Sequence, residues 1–187
     1  SQRRISGLSE NVSEMGYRAA LEAIEMAKWD LETIDLIILA TSTPNDLFGS
    51  APEIQSKLGT INAVSFDLTA ACSGFLFAVI TATQFLKAGS YKRAIVIGSD
   101  QLSSYVNWND RRSCILFGDG AGAIAIEATN EFDNLIGFSM RTDGKRGSFL
   151  NLPSQNNQDL INDEINFSSG GFSTIEMNGQ EVYKLSL

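Results

Sequence analysis

Phe66-Asp67-Leu68-Thr69-Ala70-Ala71-Cys72-Ser73-Gly74-Phe75 joins the two patterns that decide the architecture. Upstream and into it, Val64, Phe66 and Leu68 alternate with Ser65 and Asp67, the period of a strand with one wetter face. Downstream, the residues from Ser73 to Ala88 are apolar almost all round before Gly89 stops them, which describes a helix buried on most sides. Cys72 stands at the junction, behind Ala70 and Ala71. A thiol there lies at a helix N-terminus, where unbonded backbone N–H groups and the helix dipole favour the thiolate. The small neighbours Ala70, Ala71, Ser73 and Gly74 let a substrate carbonyl come close, and the N–H of Cys72 is placed to help hold an oxyanion. The residues by themselves leave a second reading open, because free cysteine is among the most buried residue types and often packs as a small hydrophobe.

Working outward, helix and strand patterns alternate as they do in mostly parallel α/β sheets. Asn11 to Glu14 reads as a capping box, and Val12, Met15, Ala19, Ala23 and Met26 recur at helical spacing, predicting a helix with one apolar face packed on a sheet. After a turn near Asp30, the run Leu36 to Ala40 is continuously apolar, as expected of a central parallel strand covered on both faces. Pro52 suits a first helical turn and Gly59 a helix end. Arg93 to Ser99 predicts another buried strand. From Cys114 to Ala128 two apolar runs flank Gly118, Asp119, Gly120, Ala121 and Gly122, predicting a glycine-rich turn that joins strand to strand. That stretch offers a G-x-G spacing, but it leads into the strand Ala123 to Ile126 and not into a helix, so it is not a dinucleotide loop. Cys114 reads as core packing. Beyond Pro153 a polar segment reaching about Gly171 predicts an exposed loop or weak hairpin. A new helix begins near Asn178, with Val182, Tyr183 and Leu185 starting an apolar stripe that has no cap before Leu187; the expectation is a fragment cut at both ends.

Composition bounds the chemistry. With 43% hydrophobic and 19% charged residues in 187, the chain can bury a sizeable core. A formal charge of -8 disfavours a nucleic-acid partner, and no apolar stretch of about 18 residues marks a membrane span. Two cysteines are too few for a disulfide framework, and the expected setting is reducing and cytoplasmic. The chain contains no histidine, so every Cys/His pairing and the commonest general base must come from elsewhere.

Together, Phe66 to Phe75 and Phe117-Gly118-Asp119-Gly120-Ala121-Gly122-Ala123 closely resemble the two most recognisable motifs of the ketoacyl-(acyl carrier protein) synthase III family. The resemblance extends through Glu14-Met15-Gly16, Leu36 to Thr41, Ile97 to Asp100 and Asn178 to Tyr183, and so covers the chain. It implies a thiolase-like fold, in which this chain supplies an N-terminal α/β/α half with a mostly parallel mixed central sheet and the C-terminal half is absent. It implies that Cys72 takes an acyl group from acyl-CoA, most simply acetyl-CoA, and condenses it with malonyl carried on acyl carrier protein, with loss of carbon dioxide. No metal or bound redox cofactor is implied, and a homodimer is.

Residue by residue, Arg111 matches the family's arginine that lies against the adenine of coenzyme A. Phe48 matches the aromatic residue that crosses the dimer interface to close the acyl pocket, given one deletion before Gln55. The family's catalytic histidine and asparagine belong to the second half, and its adenine-stacking tryptophan would precede Ser1; Trp29 and Trp108 stand at other positions. The 187 residues alone are therefore expected not to condense, and at most to be acylated slowly at Cys72. Two other readings fit the same residues: a different thiolase-fold acyltransferase, and a non-catalytic half-fold module.

Overall fold

The computed structural model describes residues 2–130, 135–155 and 171–185, which fall into two compact units. The larger comprises Gln2–Gln101 and Asp119–Ser139. Its centre is β1 (Leu36–Ala40), whose five residues are all buried. Such a strand needs an apolar cover on each face, and the alternation of its side chains divides the core in two. Ile37 and Leu39 join Ile95 and Ile97 of β3 (Arg93–Gln101) beneath α1 (Val12–Ala27) and α2 (Ala51–Leu58), through Val12, Ala20, Ile24, Ile54 and Leu58. Leu36, Ile38 and Ala40 join Ala94 and Val96 beneath α3 (Gly74–Lys87), through Ala78, Ala82 and Leu86. The result is an α/β/α sandwich. Each fully buried Ile, Leu or Val side chain in these layers contributes on the order of 1.5–3 kcal/mol.

The sheet runs in the order β2-β1-β3-β4, with β2 (Val64–Leu68) and β3 parallel to β1 and β4 (Asp119–Glu127) antiparallel to β3. It is the mostly parallel mixed sheet expected. The chain leaves β1 through α2 on one face to reach β2, and leaves β2 through α3 on the other face to reach β3. The connections thus reverse direction around β1, the topology that opens a crevice at the carboxyl ends of the strands.

Three details differ from the sequence reading. The buried stripe of α1 is Val12, Ser13, Gly16, Ala20 and Ile24, whereas Met26 is 85% exposed. The helix is rotated to bring its smallest residues onto the sheet: a Cβ at Gly16 would stand 2.8 Å from Ile54 Cδ1 and 3.4 Å from Ile97 Cγ2. Only half of the capping box forms. Asn11 Oδ1 accepts from the N–H of Glu14, but the Glu14 carboxylate turns away to Arg18 and Lys57. Finally, Gly118–Gly122 is not a turn between two strands. Cys114 to Phe117 forms no strand, and β4 already starts at Asp119, its glycines lying in register with β3 as Gly98↔Gly122 and Asp100↔Gly120. Glycine is a poor strand former alone but is accepted where the opposite strand supplies the ladder.

The smaller unit comprises Ser1, Leu102–Gly118 and Met140–Leu187. It holds a one-turn helix α4 (Arg111–Cys114) and two short antiparallel ladders. One pairs β5 (Leu150–Asn151) with β8 (Glu176–Met177), the other β6 (Ser154–Gln155) with β7 (Gly171–Phe172). The ladder of β6 and β7 frames the polar segment expected as a loop or weak hairpin; residues 156–170 themselves lie outside the described ones. The last element, α5 (Gly179–Leu185), starts where expected, with Asn178 Oδ1 accepting from the N–H of Glu181. No helix among the described residues is long and apolar enough to cross a membrane.

An ion cluster fastens α1 to α2. Glu14 bonds Arg18 at 3.0 Å and Lys57 at 3.2 Å, and Lys57 also bonds Glu53 at 3.0 Å. Lys57, then Arg18, holds the Glu14 carboxyl below its ordinary 4.5, and the Ser13 hydroxyl with Lys57 does the same for Glu53. A carboxylate lowered in the folded state stabilises it above that ordinary value and loses the effect as pH falls below it. The melting midpoint of Glu14→Gln should therefore lie below that of the unmodified protein at about pH 7, and the two should converge near about pH 3. A gap that persists at low pH would mean that the cluster acts through packing and not charge.

Candidate functional site

At the carboxyl edge of the parallel strands the sulfur-bearing segment is short. β2 ends at Leu68, and the chain turns through Ala70 into a single 3-10 turn, Ala71–Ser73, that runs straight into α3. The turn is tight enough to force Ala71 to φ +47, a left-handed value that costs a residue with a Cβ about 1 kcal/mol. The N–H of Ser73 bonds Ala70 O at 3.2 Å, while the N–H of Cys72 meets no acceptor among the described residues. Cys72 itself is exposed. The sulfur thus stands at the start of a 14-residue helix with a free amide beside it, as the sequence reading requires, and is not sealed in hydrocarbon. The helix is seated by Phe75, whose ring covers Gly98 of β3: a Cβ there would lie 3.2 Å from Phe75 Cδ2. Cys114, expected to pack in a buried strand, instead closes α4 and is partly exposed, and Ile115 and Leu116 after it are about half exposed.

Beside this segment runs the loop that follows β1. Its start is held by Asp100 at the end of β3. Asp100 Oδ1 accepts from the Ser42 N–H at 2.7 Å, the Thr43 hydroxyl at 3.2 Å and the Thr41 hydroxyl at 3.3 Å. Thr43 Oγ1 in turn accepts from the Gln101 N–H at 2.8 Å. Asn45 ties the middle to α1, accepting from the Val12 N–H and donating to Ser13 Oγ. Asp67 holds the end, accepting from the N–H groups of Ser50 at 2.8 Å and Ala51 at 2.7 Å, and so caps α2. What this bracing presents to solvent is Leu47 and Phe48, 89% and 99% exposed.

Arg111 lies on the other unit as the first residue of α4, exposed and without a hydrogen bond or ion pair among the described residues. Its neighbour Arg112 is committed: its Nε and Nη2 both bond the Asp110 carboxylate at 3.0 Å, holding that carboxyl below its ordinary value. Of the two adjacent guanidinium groups, only that of Arg112 is engaged by a carboxylate among the described residues. Among the described residues no three His, Cys, Asp or Glu side chains converge to hold a metal.

Phe48 and Cys72 therefore share the larger unit, the first on a braced loop and the second at the end of the strand that braces it. The sequence reading assigned no role to Asp67 or Asp100. Their signal was a carboxylate near the carboxyl end of a strand whose other face serves the core, where burial demands donors.

Residues 66–144 match the model of the 3-Oxoacyl-[acyl-carrier-protein (ACP)] synthase III family. A beta-ketoacyl-[acyl-carrier-protein] synthase III of Prochlorococcus marinus subsp. pastoris is 89% identical over all 187 residues, which make up 56% of that relative. The chain is thus similar over its whole length to named synthases III, and over residues 66–144 to the family model. Among solved structures, the 3-oxoacyl-[acyl-carrier-protein] synthase III of Aquifex aeolicus superposes over 98% of this chain and 54% of its own, with TM-score 0.84 and 35% identity. That of Pseudomonas aeruginosa superposes over the same shares with TM-score 0.85 and 29% identity. The fold is thus the thiolase-like one of the family, and the chain spans about half the length of the curated relatives it matches.

Asp100 makes the first test of the site's framework. Asp100→Ala strands three donors of the first loop residues, and the complete protein should lose about 1–3 kcal/mol of unfolding free energy in denaturant titration. An unchanged midpoint would show that the loop does not depend on this carboxylate.

Proposed function

We propose that the complete protein is a starter condensing enzyme and that Cys72 carries its acyl group. The thiolate of Cys72 attacks the carbonyl of acetyl-CoA or another short acyl-CoA, forms the enzyme thioester and expels coenzyme A as its thiolate, which takes up the proton that the Cys72 thiol had released. Malonyl-acyl carrier protein then loses carbon dioxide, and the resulting carbanion attacks the thioester carbonyl. The new carbon–carbon bond gives 3-oxoacyl-acyl carrier protein and returns the thiolate of Cys72. Splitting the reaction through a covalent intermediate makes Cys72 the nucleophile toward the acyl carbonyl in the first half and the leaving group from it in the second.

The observation that carries this reading is the exposed Cys72 at the start of α3, with a free backbone N–H and small neighbours, within a motif of a family whose named members are condensing synthases. Arg111 supports it as an uncommitted planar guanidinium suited to stack on adenine. Phe48, held out with Leu47 on a braced loop beside β2, the edge strand of the described sheet, supports a homodimer in which each subunit closes the other's acyl pocket. The family resemblance implies that a histidine and an asparagine polarise the malonyl thioester, and these 187 residues contain no histidine. No resident metal or redox cofactor enters the scheme, and the setting is the cytoplasm.

In the complete protein, Cys72→Ala should lower condensation of acetyl-CoA with malonyl-acyl carrier protein at least about a thousandfold, read as product formed and carbon dioxide released. Condensation within a few-fold of the unmodified rate would remove Cys72 from the mechanism.

A further inference from the structure

The carboxylate of Asp67 is spent on one task. It sits partly buried on β2, and its partners among the described residues are the backbone N–H groups of Ser50 and Ala51, with no cation near enough to form an ion pair. Both donors belong to the end of the loop that displays Leu47 and Phe48. Directly before them Gly49 takes φ +112, and a Cβ there would lie 3.5 Å from Asp67 Oδ1. Gly49 N–H bonds Asp46 O at 3.0 Å and Phe48 N–H bonds Asp46 Oδ1 at 2.7 Å, so the turn is closed on itself and swings as one piece about its anchor. Asp67 stands on the strand that ends four residues before Cys72.

We propose that Asp67 is a positioning residue for primer selection: it fixes the Asp46–Gly49 turn to β2 of its own subunit, and so fixes how far Phe48 reaches into the acyl pocket of the partner subunit. The inference rests on the reading in which Cys72 accepts the acyl group and Phe48 closes the acyl pocket of the other subunit of a homodimer. The chemistry is specific to a carboxylate. Two oxygens accept from two N–H groups, whereas an amide at the same place offers one acceptor and turns its own N–H donors toward the other, so one strut fails and the turn shifts. Because the end wall of a pocket separates acyl chains by their length, the effect falls on the choice among primers more than on bond making.

The test uses the complete protein and two primers, acetyl-CoA and hexanoyl-CoA, each followed by release of free coenzyme A and by kcat/KM for condensation. Asp67→Asn should change the acetyl-to-hexanoyl ratio of kcat/KM by about tenfold or more, as should Phe48→Ala. The double variant should shift it no further than Phe48→Ala alone, since the two act through one side chain. Gly49→Ala displaces the same turn while leaving the Asp67 carboxylate in place and should move the ratio as well, which keeps the inference testable if Asp67→Asn folds poorly. A merely structural role would lower the melting midpoint and both rates together and leave the ratio unmoved. An unmoved ratio in either Phe48→Ala or Asp67→Asn, or additive effects in the double variant, overturns the inference while primer transfer to Cys72 stands. If the unmodified protein releases no coenzyme A in the absence of malonyl substrate, the underlying reading falls and this inference with it.

Discussion

A strand buried on both faces is the constraint from which the rest follows. Every side chain of β1 is apolar and inaccessible, so neither face can be left to water and a helical layer must cover each. The chain meets that demand by crossing over through α2 on one face and α3 on the other, and both crossings start at the carboxyl edge of the sheet. Cys72 stands there because α3 has to begin close behind β2 to reach its side of the core. The position of the sulfur is thus a product of packing before it is a product of chemistry.

The same edge shows how polar groups are used where two apolar layers end. Asp67 and Asp100 sit beside strands that otherwise serve the core, and both are met by N–H and O–H donors of the loop after β1. Burying such charges without cations is tolerable because several short hydrogen bonds replace the lost water. The arrangement converts a loop into a rigid part of the scaffold, and it can then hold two large apolar residues out in solvent, Leu47 and Phe48. At Ala71 the strain of a left-handed alanine is spent on turning the chain into α3 within one short turn.

Much of this was legible in the residues. The continuous apolar run of β1, the alternation in β2 and the all-round apolar α3 each predicted the right element, because burial on two faces, one face or most sides leaves a distinct period. The face of α1 was misread because the helix packs through Gly16 and Ala20, and small residues carry little weight in a search for apolar stripes. The stretch Gly118–Gly122 was read as a turn from glycine's local preference, which the ladder to β3 overrides. The roles of Asp67 and Asp100 depend on partners 16 to 59 residues away, a separation that no local pattern reports. Phe48 and Arg111 came from family resemblance, and the structure shows the first displayed and the second uncommitted.

The account stands or falls on which atom takes the acyl group. Incubating the complete protein with acetyl-CoA, without malonyl substrate, and mapping the added mass by peptide mass spectrometry addresses that directly. The account predicts one acetyl group, held as a hydroxylamine-sensitive thioester on the peptide containing Cys72. An acetyl group on any other residue, or none on Cys72 under conditions where the protein turns over, would contradict it.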